Sequence, residues 1–247
     1  LTAVDPSTYS IEAHHEITEQ KLANVVGIIP GKSKKDEYVI FSGHYDHIGI
    51  GKPVDGDSIF NGANDDAAGT TAVILLAKYY KALNNNERTI IFAAFTAEES
   101  GGYGAQYFSK QFDPSKVAAM FNIEMIGTES KWGKNSAYIT GFEKTDMGAI
   151  LQKNLEGTGF AFYPDPYPTQ NLFYRSDNAT LARLGVPAHT ISTSKMDSEP
   201  NYHKVSDEVE TLDLDNMTMI IKSIALSARS IVSGKDSPTR VKVEELR

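Results

Sequence analysis

The chain has 247 residues, of which 40% are hydrophobic and 23% charged, and its formal net charge is −8. This composition is typical of an ordinary globular domain. The negative charge disfavours nucleic acid as a partner, because phosphate binding needs clusters of Lys and Arg and this chain has none. Since there is no cysteine, thiolate metal ligands and a cysteine nucleophile are excluded, and His, Asp and Glu are the strong metal ligands that remain.

No apolar run approaches the roughly 20 residues that cross a bilayer, so we expect no membrane span. Residues 1–10 carry neither a basic start nor an apolar signal core, and no signal peptide is predicted within this chain. The length allows one or two domains. Because there is no linker, internal repeat or low-complexity tract, we expect a single domain over residues 1–247.

Two short segments rich in β-branched residues, 23–30 and 37–43, predict strands separated by a turn. Residues 66–83 carry apolar side chains at helical spacing and predict a helix. The continuously apolar segment 88–95 that follows is typical of a buried parallel strand. Together these segments predict a strand, helix, strand crossover unit.

The rest of the chain continues this alternation. Its predicted elements are a helix at 104–111, strands at 117–125 and 136–141, a helix at 145–155, a Tyr- and Pro-rich loop at 163–173, a helix at 178–184, a strand at 186–192 and an amphipathic helix at 216–232. The charged tail, 241–247, is predicted as a final edge strand or a disordered segment. Alternating strands and helices indicate an α/β doubly wound three-layer sandwich whose sheet is mixed and mostly parallel.

Polar residues follow the predicted strands directly, which is where binding groups collect in open α/β sheets. They are His44-Tyr45-Asp46-His47, Asn61 to Asp66, Glu98-Glu99, Glu124 and, before the last helix, Tyr202-His203. One such residue alone is more often a solvated loop residue, but five coincidences favour a site. A metal-activated hydrolase needs imidazole and carboxylate ligands and one further carboxylate that moves protons. The adjacent pair Glu98 and Glu99 can supply one carboxylate of each kind.

The order of these motifs resembles the co-catalytic zinc aminopeptidases. This family includes bacterial leucyl aminopeptidases, aminopeptidase Y, glutamate carboxypeptidase and, as offshoots, glutaminyl cyclase and the transferrin receptor. The resemblance covers residues 23–219 and rests on His-x-Asp, Asn-Asp-Asp-x-x-Gly, Glu-Glu, an acidic residue after the next strand, and Tyr-His. It implies a phosphorylase/hydrolase-like zinc-exopeptidase fold and an aminopeptidase that hydrolyses N-terminal residues from peptides.

Carried over by position, the resemblance implies two zinc ions. Asp65 would bridge them, His44 and Glu124 would complete one site, and Glu99 and His203 would complete the other. Many members of the family have Asp at the position of Glu124, although the longer Glu side chain can still bind zinc. The same set of imidazoles and carboxylates would also suit cobalt or manganese.

The resemblance also implies residues around the metals. Glu98 would act as general base and acid, and Asp46 would orient the His44 ring, a support that metal-bound histidines usually have. The peptide bond between Asp65 and Asp66 is expected to be cis. For Asp66 itself, a helix cap and a direct role in the site are both open.

Three aromatic residues are candidates for substrate binding. Tyr202, next to an implied ligand, could donate a hydrogen bond to an oxyanion, and Tyr174 and Phe173 could form the wall of the substrate pocket. Plain packing is the alternative for all three. Ser176 and Asp177 resemble a Ser-Asp-His motif of the family without its histidine, and capping of a helix would also explain them.

Two further histidines are interpreted as structural. His47 is expected to be an ordinary loop histidine, and His189 a hydrogen-bonded sheet residue. For glycine 69 the sequence favours a role in close packing over contact with substrate.

Three other functions are consistent with parts of the pattern. A glutaminyl cyclase would use a single zinc, and a carboxypeptidase for acidic residues would need an arginine such as Arg175 in its pocket. A binding ectodomain of the transferrin-receptor type would lack a working metal site, which all five filled ligand positions argue against. No Gly-x-Ser-x-Gly elbow or phosphate-binding glycine loop is present. By resemblance alone we expect an exported protein, periplasmic, secreted or on the surface, whereas side-chain preference and oligomeric state stay open.

Overall fold

The computed structural model of the chain describes residue 10 and residues 12–247. The signal-peptide prediction concerns residues 1–10 and so lies almost wholly outside the described residues. The strands are β1 (Val25–Ile29), β2 (Lys34–His44), β3 (Gly49–Val54), β4 (Asp57–Phe60), β5 (Arg88–Phe95), β6 (Val117–Ile123), β7 (Ser136–Ile139), β8 (Ala161–Pro164) and β9 (Ala188–Ser192). The α-helices are α1 (Ala68–Leu83), α2 (Tyr103–Ser109), α3 (Met147–Leu155), α4 (Asn178–Ala182), α5 (Leu214–Ser227) and α6 (Arg229–Val232).

Seven strands form one mixed sheet in the order β1-β5-β2-β6-β9-β7-β8. The four central strands β5, β2, β6 and β9 are parallel neighbours, β7 and β8 are parallel to each other, and the pairs β1/β5 and β7/β9 are antiparallel. The predicted mixed, mostly parallel sheet is therefore confirmed. So is the crossover unit, since α1 connects β2 to its parallel neighbour β5. The residues that follow the central strands consequently meet at one edge of the sheet.

Helices cover both faces of the sheet and make the predicted three layers. Apolar side chains of α1, α3, α5 and α6 form a core with one sheet face, and those of α2 and α4 form a second core with the other. In the first core, Phe41 stacks between Phe92 and Phe121 of the neighbouring strands, with ring centroids 5.7 and 4.9 Å apart. Buried aromatic residues contribute the largest apolar area per side chain, so these three rings anchor the helices to the sheet centre.

The C-terminal helix differs from its prediction in its bounds and continuity. The helix begins at Leu214 because Asp213 accepts a hydrogen bond from the Asn216 amide and caps it, and it is interrupted at Ala228 between α5 and α6. Its predicted inner face is confirmed. The buried members of this face are Met217, Ile220, Ile221, Ile224, Ala228 and Ile231.

Three further segments were wrongly predicted or missed. The tail does not form the predicted edge strand: Val241 is buried, and Val243–Glu245 make one turn of 3-10 helix. The loop predicted at 163–173 begins inside β8, which pairs with β7. The hairpin of β3 and β4 was not predicted, although Asp55-Gly56 at its turn, both with positive φ, is the dipeptide typical of such hairpins.

None of the helices in the described part of the chain is both long and apolar enough to cross a membrane.

Candidate metal centre

The five predicted ligands meet at the carboxyl edge of the central strands. His44 is the last residue of β2, and Glu124 comes directly after β6. Glu99 lies in the turn after β5, Asp65 in the helical turn before α1, and His203 in the loop between β9 and α5. Because β5, β2 and β6 are adjacent, side chains far apart in sequence share one space, and the sequence prediction located this space correctly.

Asp65 lies at the centre of the group, and its two carboxylate oxygens face different partners. Oδ1 is 3.2 Å from Nε2 of His44, whereas Oδ2 is 3.3 Å from Nε2 of His203. Nε2 of His203 is also 3.1 Å from Oε2 of Glu99. One atom each from His44, Asp65 and Glu124 lie within 4.8 Å of one another. The carboxylate of Asp65 therefore belongs to two neighbouring ligand groups at once.

These distances fit a metal ion. An ion with tetrahedral bonds of about 2.0 Å holds its ligand atoms about 3.3 Å apart, close to the separations just given. Nε2 of His44 and Oε1 of Glu99 are buried and have no correctly oriented hydrogen-bond partner among the described residues. Buried polar atoms are normally hydrogen-bonded, so unpaired ligand atoms that converge on one space are suited to binding a cation.

The protonation of His44 also suits a metal ligand. Its Nδ1 lies 3.0 Å from the backbone carbonyl of Asp46, and a carbonyl oxygen can only accept. Nδ1 therefore carries a proton, which leaves Nε2, on the side of Asp65, as the nitrogen that would bind a metal ion. Asp46 does orient this ring, but through its backbone, since its carboxylate is 3.8 Å from Nδ1.

Three carboxylates hold the backbone of the ligand-bearing segments. The carboxylate of Asp46 accepts hydrogen bonds from the amides of Glu98 and Glu99, at 3.0 and 3.3 Å. The carboxylate of Asp207 accepts from the amides of residues 64 and 65, at 2.8 and 3.1 Å. Each loop of the site is thus fixed by an acidic side chain from another loop, and sequence reasoning missed the contribution of Asp207.

Asp66 is the third of these carboxylates and resolves the question left open by the sequence. It caps α1 by accepting from the Gly69 amide at 3.0 Å, and it also accepts from the amides of His44 and Met125 at 3.2 and 3.1 Å. It therefore both caps a helix and joins β2 to the end of β6. The Asp65–Asp66 peptide bond is cis, as predicted.

The start of α1 packs unusually close to β6. A β-carbon on Gly69 would lie 2.1 Å from the carbonyl oxygen of Ile123 and 2.4 Å from the Asp66 carboxylate. No side chain fits in that space, so the predicted packing role of this glycine is confirmed.

His47 does not behave as the ordinary loop histidine that was expected. Its side chain is 7% exposed, and its Nδ1 lies 2.8 Å from Oε1 of Glu99. Its ring packs edge-on against that of His203, with centroids 5.7 Å apart. One atom each from His47, Asp65 and Glu99 also lie within 4.8 Å of one another. The loop after β2 thus brings two histidines to the site, three residues apart, whereas His189 is hydrogen-bonded inside the sheet as predicted.

Acidic side chains crowd this edge of the sheet beyond the five ligands. Burial raises the pKa of Glu98 to about 9, and repulsion from Glu124 adds to the effect. Burial likewise raises the pKa of Asp177 to about 7; this residue is 2% exposed and neither of its carboxylate oxygens has a hydrogen-bond partner among the described residues. Such a concentration of buried negative charge needs bound cations or protons to offset it.

Glu124 is held by a chain of polar side chains. The hydroxyl of Ser176 donates to its carboxylate, and the amide group of Asn122 donates to Ser176 at 2.6 Å. Asn122 in turn accepts from Ser42 at 2.8 Å. Ser176 therefore contacts the site directly, and helix capping alone does not explain it.

Two cavities of different size adjoin the carboxylates. A cleft of about 790 Å³ is lined by Glu98, Glu99, Asp177 and Tyr174, among others. A cavity of about 40 Å³ lies on the Glu124 side. Arg175 and Tyr202 border both cavities, and the guanidinium of Arg175 donates to the Tyr202 hydroxyl at 3.3 Å.

The three aromatic candidates therefore differ in position. Tyr202 and Tyr174 line the cleft, as the substrate-pocket prediction requires. Phe173 is 5% exposed and packs in the second core, where its ring contacts Tyr174 and His189. It lines neither cavity beside the carboxylates, because its ring points into the space above residue 141.

Comparison with known proteins places this arrangement in a family. Residues 24–228 match the model of peptidase family M28. The chain belongs to this family. Among curated proteins it is 31% identical over 202 residues to a probable leucine aminopeptidase of Trichophyton verrucosum, an alignment that covers 78% of this chain and 53% of that protein. The chain thus spans about half the length of the curated relatives it matches.

Solved structures show the same fold. A zinc aminopeptidase from Bacillus subtilis superposes with a TM-score of 0.69 at 21% identity, covering 87% of this chain and 51% of that one. Nicastrin, a component of gamma-secretase, superposes with a TM-score of 0.65 at 16% identity, covering 90% and 45% of the two chains. Since one fold can serve different functions, the activity has to be argued from the side chains of the site.

Proposed function

We propose that this chain is a zinc-dependent aminopeptidase that hydrolyses N-terminal residues from peptides and holds two zinc ions. The observation that carries the proposal is the position of Asp65, whose two oxygens face His44 on one side and the pair Glu99 and His203 on the other. A carboxylate in that position could be shared by two ions. The names of the relatives, a leucine aminopeptidase and zinc aminopeptidases among them, support the same activity.

Under this proposal one ion is held by His44, Asp65 and Glu124, and the other by Asp65, Glu99 and His203. Two imidazoles adjoin the second position, and His203 is the better ligand because its Nε2 faces both Asp65 and Glu99. His47 contacts the other oxygen of Glu99. We assign it to orienting that carboxylate, the support that metal ligands commonly receive from a neighbouring side chain.

Zinc, when bound, acts as a Lewis acid toward the scissile carbonyl and favours ionisation of the attacking water. The protein supplies the proton transfer. Glu98 lies beside the ligands and lines the cleft, and bound cations would favour its ionised form, in which it can take a proton from water and return it to the leaving amine. The Tyr202 hydroxyl borders both cavities and is placed to donate to a developing oxyanion.

The alternative functions have less support. A single-zinc cyclase does not require a carboxylate between two ligand groups. A carboxypeptidase for acidic residues would use Arg175 as its anchor, yet that side chain is exposed and also hydrogen-bonds to Gln170.

We further propose that residues 1–247 make up one catalytic domain. An exported location stays a prediction from the family resemblance.

Metal content and hydrolysis test the proposal together. Plasma mass spectrometry on gently purified protein should give about two zinc per chain, and aminoacyl-nitroanilides should be hydrolysed in a reaction that a chelator abolishes. One zinc with cyclisation of N-terminal glutamine would favour the cyclase instead. Protein without metal and without activity would contradict the proposal.

A matched pair of histidine variants tests the ligand assignment. His203→Ala should reduce the zinc content to about one per chain, whereas His47→Ala should retain two and lose affinity at one of them. If His47→Ala instead removed one zinc and His203→Ala removed none, the two roles would be exchanged.

A further inference from the structure

The small cavity on the Glu124 side adjoins a much larger cleft. The cleft on the Glu98 side has about 790 Å³, which lies within the range of about 300–1,000 Å³ usual for ligand sites. The small cavity has about 40 Å³. A water-sized sphere needs about 10–15 Å³, so it accepts roughly three non-hydrogen atoms. Only the cleft has room for an extended peptide.

Part of the wall of the small cavity comes from buried residues in or directly after strands of the sheet, and this part cannot easily retreat. Tyr138, Thr140, Thr190 and Ser192 line it and are 1, 2, 4 and 5% exposed. Thr190 donates to the Asn178 side chain at 2.9 Å, and its amide donates to the Thr140 hydroxyl at 3.1 Å. Because interiors are packed as densely as organic crystals, a longer side chain cannot enter by displacing strand residues.

These walls also carry hydroxyl groups where a pocket for leucine would be apolar. The Ser192 hydroxyl donates to the Met125 carbonyl at 3.1 Å, and Ser176 donates to Glu124. These hydroxyls already donate within the protein but keep oxygen lone pairs that can accept. A hydroxyl-bearing side chain can donate to them, whereas a branched hydrocarbon chain cannot.

We propose that this cavity receives the first side chain of the peptide and restricts it to glycine, alanine or serine. This inference rests on the proposed aminopeptidase function. In an exopeptidase a single residue lies on one side of the scissile bond, and a small cavity beside Glu124 and Tyr202 matches that one residue. The open cleft then takes the remainder of the peptide. The preference differs from the one that the names of the leucine aminopeptidase relatives indicate.

One wall of the cavity can be changed without touching the sheet. Met196 lies in the loop after β9, is partly buried, and packs against Tyr138 and Leu172. Met196→Ala should enlarge the cavity toward the volume of a leucine side chain. Leu75→Ala, at a position of α1 that is 40% exposed, is the matched control that shortens an apolar side chain far from the site.

The measurement is kcat/KM of the zinc-loaded protein for glycyl-, alanyl-, seryl- and leucyl-nitroanilide. The wild type should favour alanyl over leucyl substrate by at least about tenfold, the effect of one surplus methylene in a tight pocket. Met196→Ala should reduce that ratio by about tenfold, and Leu75→Ala should leave it unchanged. Equal rates for alanyl and leucyl substrate, or a ratio that Met196→Ala does not alter, would overturn the inference while the aminopeptidase function stood.

Binding of the free amino acids provides a readout that needs no turnover. Calorimetric titration of the same protein should show L-alanine binding at least about tenfold more tightly than L-leucine. Selective binding of alanine by a protein that hydrolyses none of the nitroanilides would contradict the proposed function and support the cavity assignment. Binding of neither amino acid, or tighter binding of leucine, would overturn the cavity assignment.

Discussion

The two ends of strand β5 both place charged groups in the interior, but the two ends differ in how those groups are satisfied. Arg88, the first residue of the strand, is 1% exposed and donates four hydrogen bonds, to the Glu37 carboxylate, two backbone carbonyls and Ser237. Glu98 and Glu99, just beyond the other end, lie among further carboxylates, and Oε1 of Glu99, although 2.8 Å from Nδ1 of His47, has no correctly oriented hydrogen-bond partner among the described residues. A buried charged group whose hydrogen bonds are all formed stabilises the fold, whereas one that lacks hydrogen-bond partners is available to bind ligands or protons.

The largest effect is expected on catalysis, from a substitution of Glu98 beyond the carboxyl end of β5. Glu98→Gln keeps the shape and a hydrogen-bonding group but removes the proton acceptor. General acid–base groups contribute about 10²- to 10⁴-fold, so kcat should fall by a factor in that range while the zinc content is unchanged. Stopped-time assays with alanyl-nitroanilide and mass spectrometry of the same sample measure both quantities. Retained activity would contradict the role of Glu98.

At the Arg88 end of β5 we expect a substitution to lower the stability of the fold without lowering the zinc content. Arg88→Met leaves the carbonyls of Ile231 and Asp236 and the Glu37 carboxylate without their partner. The Glu37 side chain is 40% exposed, so most of the loss comes from the two carbonyls, at about 1–3 kcal/mol for each buried group left without a partner, which urea unfolding would measure. Arg229→Met is the matched control, because that exposed side chain makes one bond to the Asn154 carbonyl and should cost under about 1 kcal/mol. An equal loss in both variants would contradict the comparison.

His189 is a second buried group whose hydrogen bonds are all formed, and it should make the free energy of unfolding depend on pH. Its ring nitrogens are both hydrogen-bonded, at 2.8 Å to the Thr140 carbonyl and 2.8 Å to the Thr145 hydroxyl, and burial lowers its pKa to about 4. Between pH 6.5 and 4 the unfolded chain binds a proton that the folded chain does not. The free energy of unfolding should therefore fall as the pH drops through this window, by roughly 3 kcal/mol from this residue.

Urea unfolding of the wild type and of His189→Gln at pH 7 and pH 4 would isolate this contribution. The difference between the two proteins should shrink at the lower pH, because glutamine does not titrate. A difference that stays constant from pH 7 to 4 would show that His189 does not titrate in this way.

The smallest effect is expected from a side chain that holds the site without facing the metals. Asp207→Ala frees the amides of residues 64 and 65. Substitutions of such supporting groups cost about 10- to 100-fold in metal affinity, which competition for zinc with a chromophoric chelator would measure. The control is Asp213→Ala, which removes the N-terminal cap of α5. It should lower stability by about 1 kcal/mol and leave the zinc affinity unchanged. Equal zinc affinities in wild type and Asp207→Ala would contradict the role.

The sequence predicted the sheet and the gathering of ligands because both depend on strand ends. His44, Glu99 and Glu124 follow apolar segments that can only be buried strands, and parallel neighbours bring such residues together. The supporting contacts could not be predicted. That Asp207 accepts from the backbone before α1 depends on the path of a loop. The burial of His47 depends on contacts with Glu99 and His203, which are distant in sequence. The division of the last helix at Ala228 has no signal in its apolar periodicity.

The hairpin of β3 and β4 has a consequence for engineering. It lies between two segments of the site, leaving after His47 and returning at Asn61, and its ends are adjacent because Gly49 pairs with Phe60. No residue of either strand is buried. Insertions are tolerated best at exposed segments whose ends lie close together. The hairpin is therefore where a reporter, an affinity tag or a substrate-capturing domain can be grafted between two segments of the candidate metal centre, with the main sheet left as it is.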